Sequence, residues 1–166
     1  MKKLLALFVV VLGFSAVSFA QATKTATASA TIIGPISLTK VTDMNFGNIA
    51  VGTAAGTVVL APAGGRTATT VTLPAVTGTV TAATFVVTGE GTSTYAITLP
   101  ASNVIRIGAA GATMTVNNFT STPSGTGALT GGTQNIAVGA TLNVAASRAT
   151  GTYVSIAPFD VTVNYN

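Results

Sequence analysis

The residues of this chain that could carry chemistry are few and far apart in sequence. The chain has no His, Cys or Trp, and its three acidic residues are Asp43, Glu90 and Asp160. Acid–base catalysis, covalent catalysis and metal binding mostly use His, Cys or clustered carboxylates. We therefore predict no enzymatic activity and no catalytic, cofactor or metal site. The three acids are interpreted as turn, loop-tip and strand-surface residues.

The N-terminal twenty residues have the features of a secretory signal peptide. Lys2 and Lys3 precede an apolar run, and a small-x-small cleavage site closes at Ala20. The apolar run is shorter than the ~20 residues that span a bilayer. We predict a leader at 1–20 and a single domain at 21–166. The protein is then exported through the periplasm to the cell surface or the medium, with no membrane span after cleavage.

The basic net charge of the chain is not concentrated in a patch. Without the two leader lysines, five cations face three acids, so the net charge falls from +4 to +2. These cations are scattered singly: Lys24, Lys40, Arg66, Arg106 and Arg148. Nucleic-acid binding requires clustered basic residues, often with stacking aromatics. We predict no nucleic-acid partner, and the low charge favours close association between copies.

Alternation of apolar and polar residues dominates the chain and predicts β-strands. It is clearest at the C-terminus, where Phe159, Val161, Val163 and Tyr165 share one face and are the expected core anchors of a terminal strand. Shorter runs of the same kind, separated by Gly- and Pro-rich breaks, recur along the chain. Such spacing is typical of a β-sandwich or barrel, so we predict an all-β fold with little helix.

The N-terminal segment after the leader also alternates. One face carries Ala22, Lys24, Ala26, Ala28, Ala30 and Ile32, and the other carries mostly Thr. This pattern suits a strand that lies near a free terminus. It can pair with its own domain or with the open sheet edge of a neighbouring copy. The sequence leaves both alternatives open, and we treat the segment as a candidate for strand exchange.

Two further stretches are predicted to be surface loops. Arg66 follows Gly64 and Gly65, which is typical of a loop tip where the guanidinium is solvated or contacts a sugar or carboxylate. Residues 120–133 are rich in Ser, Thr, Pro and Gly and contain Leu129 as a large apolar residue. This composition predicts a long hairpin loop or an irregular edge.

Two motifs, taken together, resemble a known family. The stretch 30–40 runs into Asp43-Met44-Asn45-Phe46-Gly47-Asn48-Ile49, and Gly151-Thr152-Tyr153 leads to Val161-Thr162-Val163-Asn164-Tyr165. The chain resembles the exported Bacteroidota-type domain of unknown function 4402 and is similar to the spore-coat-U group. The resemblance implies an immunoglobulin-like, pilin-like antiparallel β-sandwich. For the spore-coat-U group it also implies fimbrial subunits that use a periplasmic chaperone and an outer-membrane usher.

These observations lead to two functional hypotheses. The first is an exported structural or adhesive subunit of a surface-associated or fimbria-like assembly, whose copies or related subunits join by β-strand augmentation. The alternative is a monomeric secreted binding module, for example for glycans, that acts through residues 64–66 and 120–133. Filaments or ladders of the secreted protein would favour the first hypothesis, and a single monomer would favour the second.

Overall fold

The computed structural model of the protein describes residues 21–166, and in that range it contains thirteen strands and no helix. Every paired ladder is antiparallel, which confirms the predicted all-β, sandwich-like class. The strands are β1 (Ser37–Thr42), β2 (Asn45–Phe46), β3 (Gly56–Leu60), β4 (Arg66–Thr69), β5 (Val80–Thr81), β6 (Ala83–Thr88), β7 (Thr94–Thr98), β8 (Ser102–Ile107), β9 (Thr113–Thr122), β10 (Thr126–Ala128), β11 (Thr133–Val144), β12 (Tyr153–Ser155) and β13 (Thr162–Tyr165).

The chain divides into two units, and all thirteen strands belong to the unit Ile33–Asn166. The predicted domain bounds, 21–166, stay a prediction. The predicted leader lies outside the described residues. Among residues 21–166 there is no helix long and apolar enough to cross a membrane.

The long strand β11 organises the main sheet, whose strand order is β1-β6-β11-β9-β8-β12. Along one edge of β11, its first half pairs with β6 and its second half with β3, which in turn pairs with β4. The other edge of β11 pairs with β9. Alternate β-branched and aliphatic residues of β11 are buried, as expected for a strand in the middle of a packed sheet.

Two core clusters lie along β11. The first contains Ile136 and Val138 of β11, and it packs with Tyr95 and Val163 from a second sheet of order β10-β7-β13. The second contains Leu142 of β11 with residues of β3 and β9. Met44 and Phe119 pack against both clusters. The core is therefore continuous along the main strand, which is the packing of a β-sandwich.

A β-bulge in β9 turns Phe119 towards the core, where its side chain packs against both clusters. Asn118 adopts a left-handed conformation with φ of 49°, and the register between β9 and β11 shifts at this point. Before the bulge the buried residues are Met114 and Val116, whereas after it Ser121 is buried and Phe119 half-buried. One extra residue thus reverses which side chains face the core.

Residues 120–133 are not the long loop that the composition predicted. The stretch contains the end of β9, the whole of β10 and the start of β11. Leu129 is 2% exposed, and Ser121 Oγ donates to the Pro123 carbonyl at 2.7 Å. The hairpin-loop alternative was wrong because Thr and Ser occupy strand positions that side-chain hydrogen bonds and cross-strand pairing satisfy. The other alternative, an irregular edge, fits the three-residue β10, which pairs only with β7.

Exposure at the C-terminus follows the predicted alternation, although β13 begins only at Thr162. Val163 is buried, and Phe159, Val161 and Tyr165 are half-buried against the first cluster. Asp160, Thr162 and Asn164 are exposed. The immunoglobulin-like connectivity that the resemblance implies stays a prediction.

Candidate functional site

The three acidic residues lie at separate places in the fold. Asp43, just after β1, forms an ion pair with Lys40, whose Nζ lies 2.6 Å from Asp43 Oδ1. Glu90 occupies the turn after β6, and Asp160 lies shortly before β13. Among residues 21–166 no three His, Cys, Asp or Glu side chains cluster in a way that would hold a metal ion. The three acids thus lie apart from one another, and the open edges of the sheets are the next candidate site.

The most distinctive edge is a border between the two sheets, which we call the β1–β13 seam. β1 pairs only with β6, and β13 pairs only with β7, so each strand has one edge without a ladder partner in the described chain. The two strands adjoin. In or next to these strands, four apolar residues are half-buried against the first core cluster: Ile36, Leu38, Val161 and Tyr165. Beyond the point where the two strands meet, a further strand paired with the free edge of β1 would bury apolar surface and gain main-chain hydrogen bonds.

The two halves of β1 differ in how open they are. Val41 is an extra residue between two paired positions, and it is 59% exposed. Beside it, Lys40 and Asp43 form the exposed ion pair. Bulges and charges of this kind are what natural proteins use to block pairing at a sheet edge. The half of β1 that contains Leu38 lacks both devices and is the better acceptor for another strand.

Tyr165 closes one end of the seam. Its hydroxyl donates to the carbonyl of Gly34 at 3.2 Å and accepts from the backbone N–H of Glu90 at 2.8 Å. Three distant parts of the chain therefore meet at one phenol group. The sequence predicted Tyr165 as a core anchor only, because alternation reveals which face a side chain shares but not which polar groups its tip reaches.

The candidate strand-exchange segment is not part of any strand of the structure. No secondary structure is assigned from 21 to 36, and every side chain from 21 to 35 is exposed. The alternating residues, from Ala22 to Ile32, thus have no ladder in the described chain, and Ile32 is 97% exposed. A segment with strand-like alternation and unpaired backbone retains its capacity to add to a sheet edge.

Arg66 is a structural residue rather than a solvated loop tip. Its Nη1 donates to the carbonyls of Phe46 and Asn48, the latter at 2.8 Å, and its Nη2 donates to the Thr77 carbonyl at 3.3 Å. Gly64, with φ of 88°, does form the preceding turn. The loop was thus placed correctly, but its cation is directed back onto the protein.

The motif around Gly47 is built for this contact. Asn45 Oδ1 accepts from the N–H of Gly47 at 2.8 Å, and Gly47 has φ of 69°. A Cβ at this position would collide with the Thr77 carbonyl, Val80 and Arg66. Only glycine fits this close approach. The motif that carried the family resemblance therefore forms a packed corner, which we call the Arg66 corner.

Two shallow cavities are the remaining candidates. One, of about 360 Å³, includes Pro100, Asn103, Phe159 and Asp160 in its lining. The other, of about 550 Å³, lies at the end of β11. Its lining includes Thr57, Thr113, Thr115, Asn143 and Arg148. Arg148 in the lining of the second cavity is a cation to which the sequence analysis assigned no role.

These features define an all-β antiparallel protein whose open sheet edges, rather than a cluster of reactive side chains, are its candidate site. The chain belongs to the family described as Domain of unknown function (DUF4402), which it matches over residues 36–165. The strand-exchange segment precedes the matched residues. No curated protein matches the chain, and no solved structure matches it. The similarity to the spore-coat-U group stays a prediction.

Proposed function

We propose that this protein is an exported structural or adhesive subunit whose copies, or related subunits, join by β-strand addition into a surface-associated assembly. The segment from Gln21 to Ile33 of one copy would dock on the β1–β13 seam of the next. The observation that carries the proposal is a pair of complementary features. One is a strand-like segment with no ladder, and the other is an apolar seam with two unpaired edges.

The chemistry of the segment supports this role. Alanines at alternate positions permit close approach to a sheet, and threonines suit the exposed face of a strand. Main-chain hydrogen bonds supply affinity in strand addition, and pockets for alternate side chains supply register. The alanines at the start of the segment would then cover the seam, and Ile32 would lie beyond it, towards the donor copy. Export follows from the predicted leader, and a periplasmic chaperone and an outer-membrane usher are the partners that the resemblance implies.

The alternative, a secreted binding module that acts through loops, has less support. Arg66 uses its guanidinium on three carbonyls, and much of the stretch 120–133 lies in paired strands. The Arg66 guanidinium is therefore engaged within the protein, and the stretch 120–133, although mostly exposed, is partly held in strands rather than being a free loop.

The test compares intact residues 21–166 with a variant that lacks 21–31. Since the strand-bearing unit starts at Ile33, the shortened protein should fold. We expect the intact protein to form oligomers in sedimentation velocity at rising concentration, and the shortened protein to remain monomeric.

A synthetic peptide of residues 21–33 should bind the shortened protein and raise its melting temperature. A control peptide with Thr25→Pro and Ser29→Pro should not, because proline removes backbone donors that a ladder needs. Equal association of the two proteins would reject strand addition. A monomeric intact protein that ignores the peptide would favour the binding module.

A further inference from the structure

We propose that Arg148 of one copy receives the carboxylate of Glu90 from the next copy, and that this contact gives the assembly its direction. The inference rests on the proposed association by strand addition. Strand addition would supply most of the affinity, and the ion pair would select the arrangement of the copies, because charge complementarity mainly provides orientation and specificity.

Arg148 is a cation that forms no ion pair with any of residues 21–166. It lines the 550 Å³ cavity at the end of β11, its side chain is half-buried, and its Nε is buried with no hydrogen-bond partner in the described chain. The single ion pair among residues 21–166 joins Lys40 and Asp43. A guanidinium held in a partly desolvated site favours a carboxylate, which it can bind through two parallel hydrogen bonds.

The surroundings of Arg148 strengthen the attraction for an anion. Thr57, Thr113 and Thr115 line the same cavity and offer hydroxyl donors. Arg106 of β8 is paired directly opposite Thr113 and also has no ion-pair partner within the described residues. Two unpaired guanidinium groups therefore occupy this end of the main sheet.

Glu90 is the acid that is best placed to reach such a cavity. Asp43 is already paired with Lys40, and Asp160 lines the other cavity. Glu90 is exposed and forms no ion pair in the described chain. It lies between Gly89, which packs against Tyr165 and Leu129, and Gly91, which is exposed and has open space around it.

The turn at Glu90 is also held in place before any partner arrives. The Glu90 N–H donates to Tyr165 Oη at 2.8 Å, and the Glu90 carbonyl accepts from the N–H of Ser93 at 3.0 Å. The N–H of Gly89 donates to the Gly132 carbonyl, and the N–H of Gly132 donates to the Gly91 carbonyl. Pre-ordering of this kind lowers the entropic cost of binding.

The two groups lie beyond opposite ends of β11. Glu90 follows Thr88, which pairs with the first residue of β11, whereas Arg148 follows Val144, the last. Twelve strand residues at about 3.3 Å each separate these ends by roughly 40 Å. The contact must therefore form between copies. In copies that strand addition joins head to tail, the contact would repeat between the Glu90 end of one copy and the Arg148 end of the next.

The position of the donor segment fits the same arrangement. Gly34, where the segment joins the strand-bearing unit, is bonded to Tyr165 Oη, which also holds Glu90. A copy that donates its segment to a neighbour therefore brings its own Glu90 to that interface. The cavity around Arg148 is then the matching surface at the far end of the acceptor.

The test uses reversed charges in the full chain from residue 21. Glu90→Lys and Arg148→Glu should each lower the association constant at least about tenfold in sedimentation velocity at low salt. An equal mixture of the two variants should restore association, because each lysine tip then meets a glutamate cavity and each glutamate tip meets an arginine cavity. Asp160→Lys makes the same charge change elsewhere and should associate like the unmodified protein. Thermal melts establish that each variant folds.

Three outcomes would overturn the inference. The first is unchanged association of both single variants, and the second is a mixture that does not recover. In the third, Arg148→Glu alone weakens association and the unmodified cavity binds galacturonate but not galactose, which would assign the cavity to acidic sugars. If removal of 21–31 abolishes association while the reversals have no effect, strand addition stands and this inference fails. An unmodified protein that stays monomeric rejects both.

Discussion

The borders of the two core clusters are held together in different ways. Beside the second cluster, the Arg66 corner ties three carbonyls to one guanidinium, and Asn45 and Asn48 add side-chain bonds to Gly47 and Val76. Beside the first cluster, the β1–β13 seam has no ladder and is closed at one end by the Tyr165 hydroxyl. The chain thus completes one border itself and leaves the other with unpaired edges. Strands β4, β10 and β12 also have one unpaired edge each, but apolar residues that pack against the first cluster distinguish the seam, which is the place where we propose that another strand adds.

The largest expected loss of stability is at the centre of the first cluster, and a smaller loss is expected at its half-buried border. Tyr95 is fully buried at the centre, so Tyr95→Ala should lower the free energy of unfolding by about 3–5 kcal/mol. Phe159 is half-buried, with its ring 5.0 Å from that of Phe119, so Phe159→Ala should cost only about 1–2 kcal/mol. Urea denaturation of each variant measures both values.

Thr162→Ala is the control for this gradient, because Thr162 lies on the exposed face of β13. Its effect should stay within about 0.5 kcal/mol. Equal losses for Phe159→Ala and Tyr95→Ala in the monomer would mean that the border is as closed as the centre.

The face of the terminal strand was predictable from sequence, whereas the tip of Tyr165 was not. Alternation is a local property of a strand, and it places Val161, Val163 and Tyr165 together whatever the rest of the fold. The bonds of the Tyr165 hydroxyl join residues 75 and 131 positions away. Such contacts depend on how distant strands come together, and no local pattern encodes them.

The same reasoning explains the error at Arg66. Gly64 and Gly65 correctly indicate a turn, but the carbonyls that Arg66 binds lie 11 to 20 residues away in sequence. The signal that was available is the glycine at position 47 inside an otherwise bulky motif, because it marks a close approach of backbone to another group. What approaches it becomes visible only in the folded chain.

The hydrogen bonds of the Arg66 corner are tested by a substitution that keeps most of the length of the Arg66 side chain but removes its N–H donors. Arg66→Met leaves the carbonyls of Phe46, Asn48 and Thr77 without these hydrogen bonds, and we expect a loss of about 1–3 kcal/mol in the free energy of unfolding. Arg106→Met removes a cation that forms no ion pair within residues 21–166, and it should change stability little. Equal effects at both positions would show that Arg66 acts through its alkyl chain rather than through its donors.

The smallest expected effect is a pH dependence that belongs to the first cluster alone. Burial raises the pKa of Tyr95 above its ordinary value of 10.0, and its hydroxyl donates to Gln134 Oε1 at 2.6 Å. In the unfolded chain this phenol ionises near pH 10, while in the folded protein it keeps its proton to higher pH. The unfolded state therefore binds fewer protons in that window, so the contribution of Tyr95 to stability is retained below pH 10 and lost as pH rises through the folded pKa.

Tyr95→Phe should lower the free energy of unfolding by about 0.5–1.5 kcal/mol at pH 7 through the lost hydrogen bond, and it should flatten the decline of that free energy above pH 10. Chemical denaturation at pH 7, 9, 10 and 11 measures both features. An equally steep alkaline decline in Tyr95→Phe would mean that other groups cause it, and that the centre of the first cluster is not sealed from solvent as its fully buried tyrosine indicates.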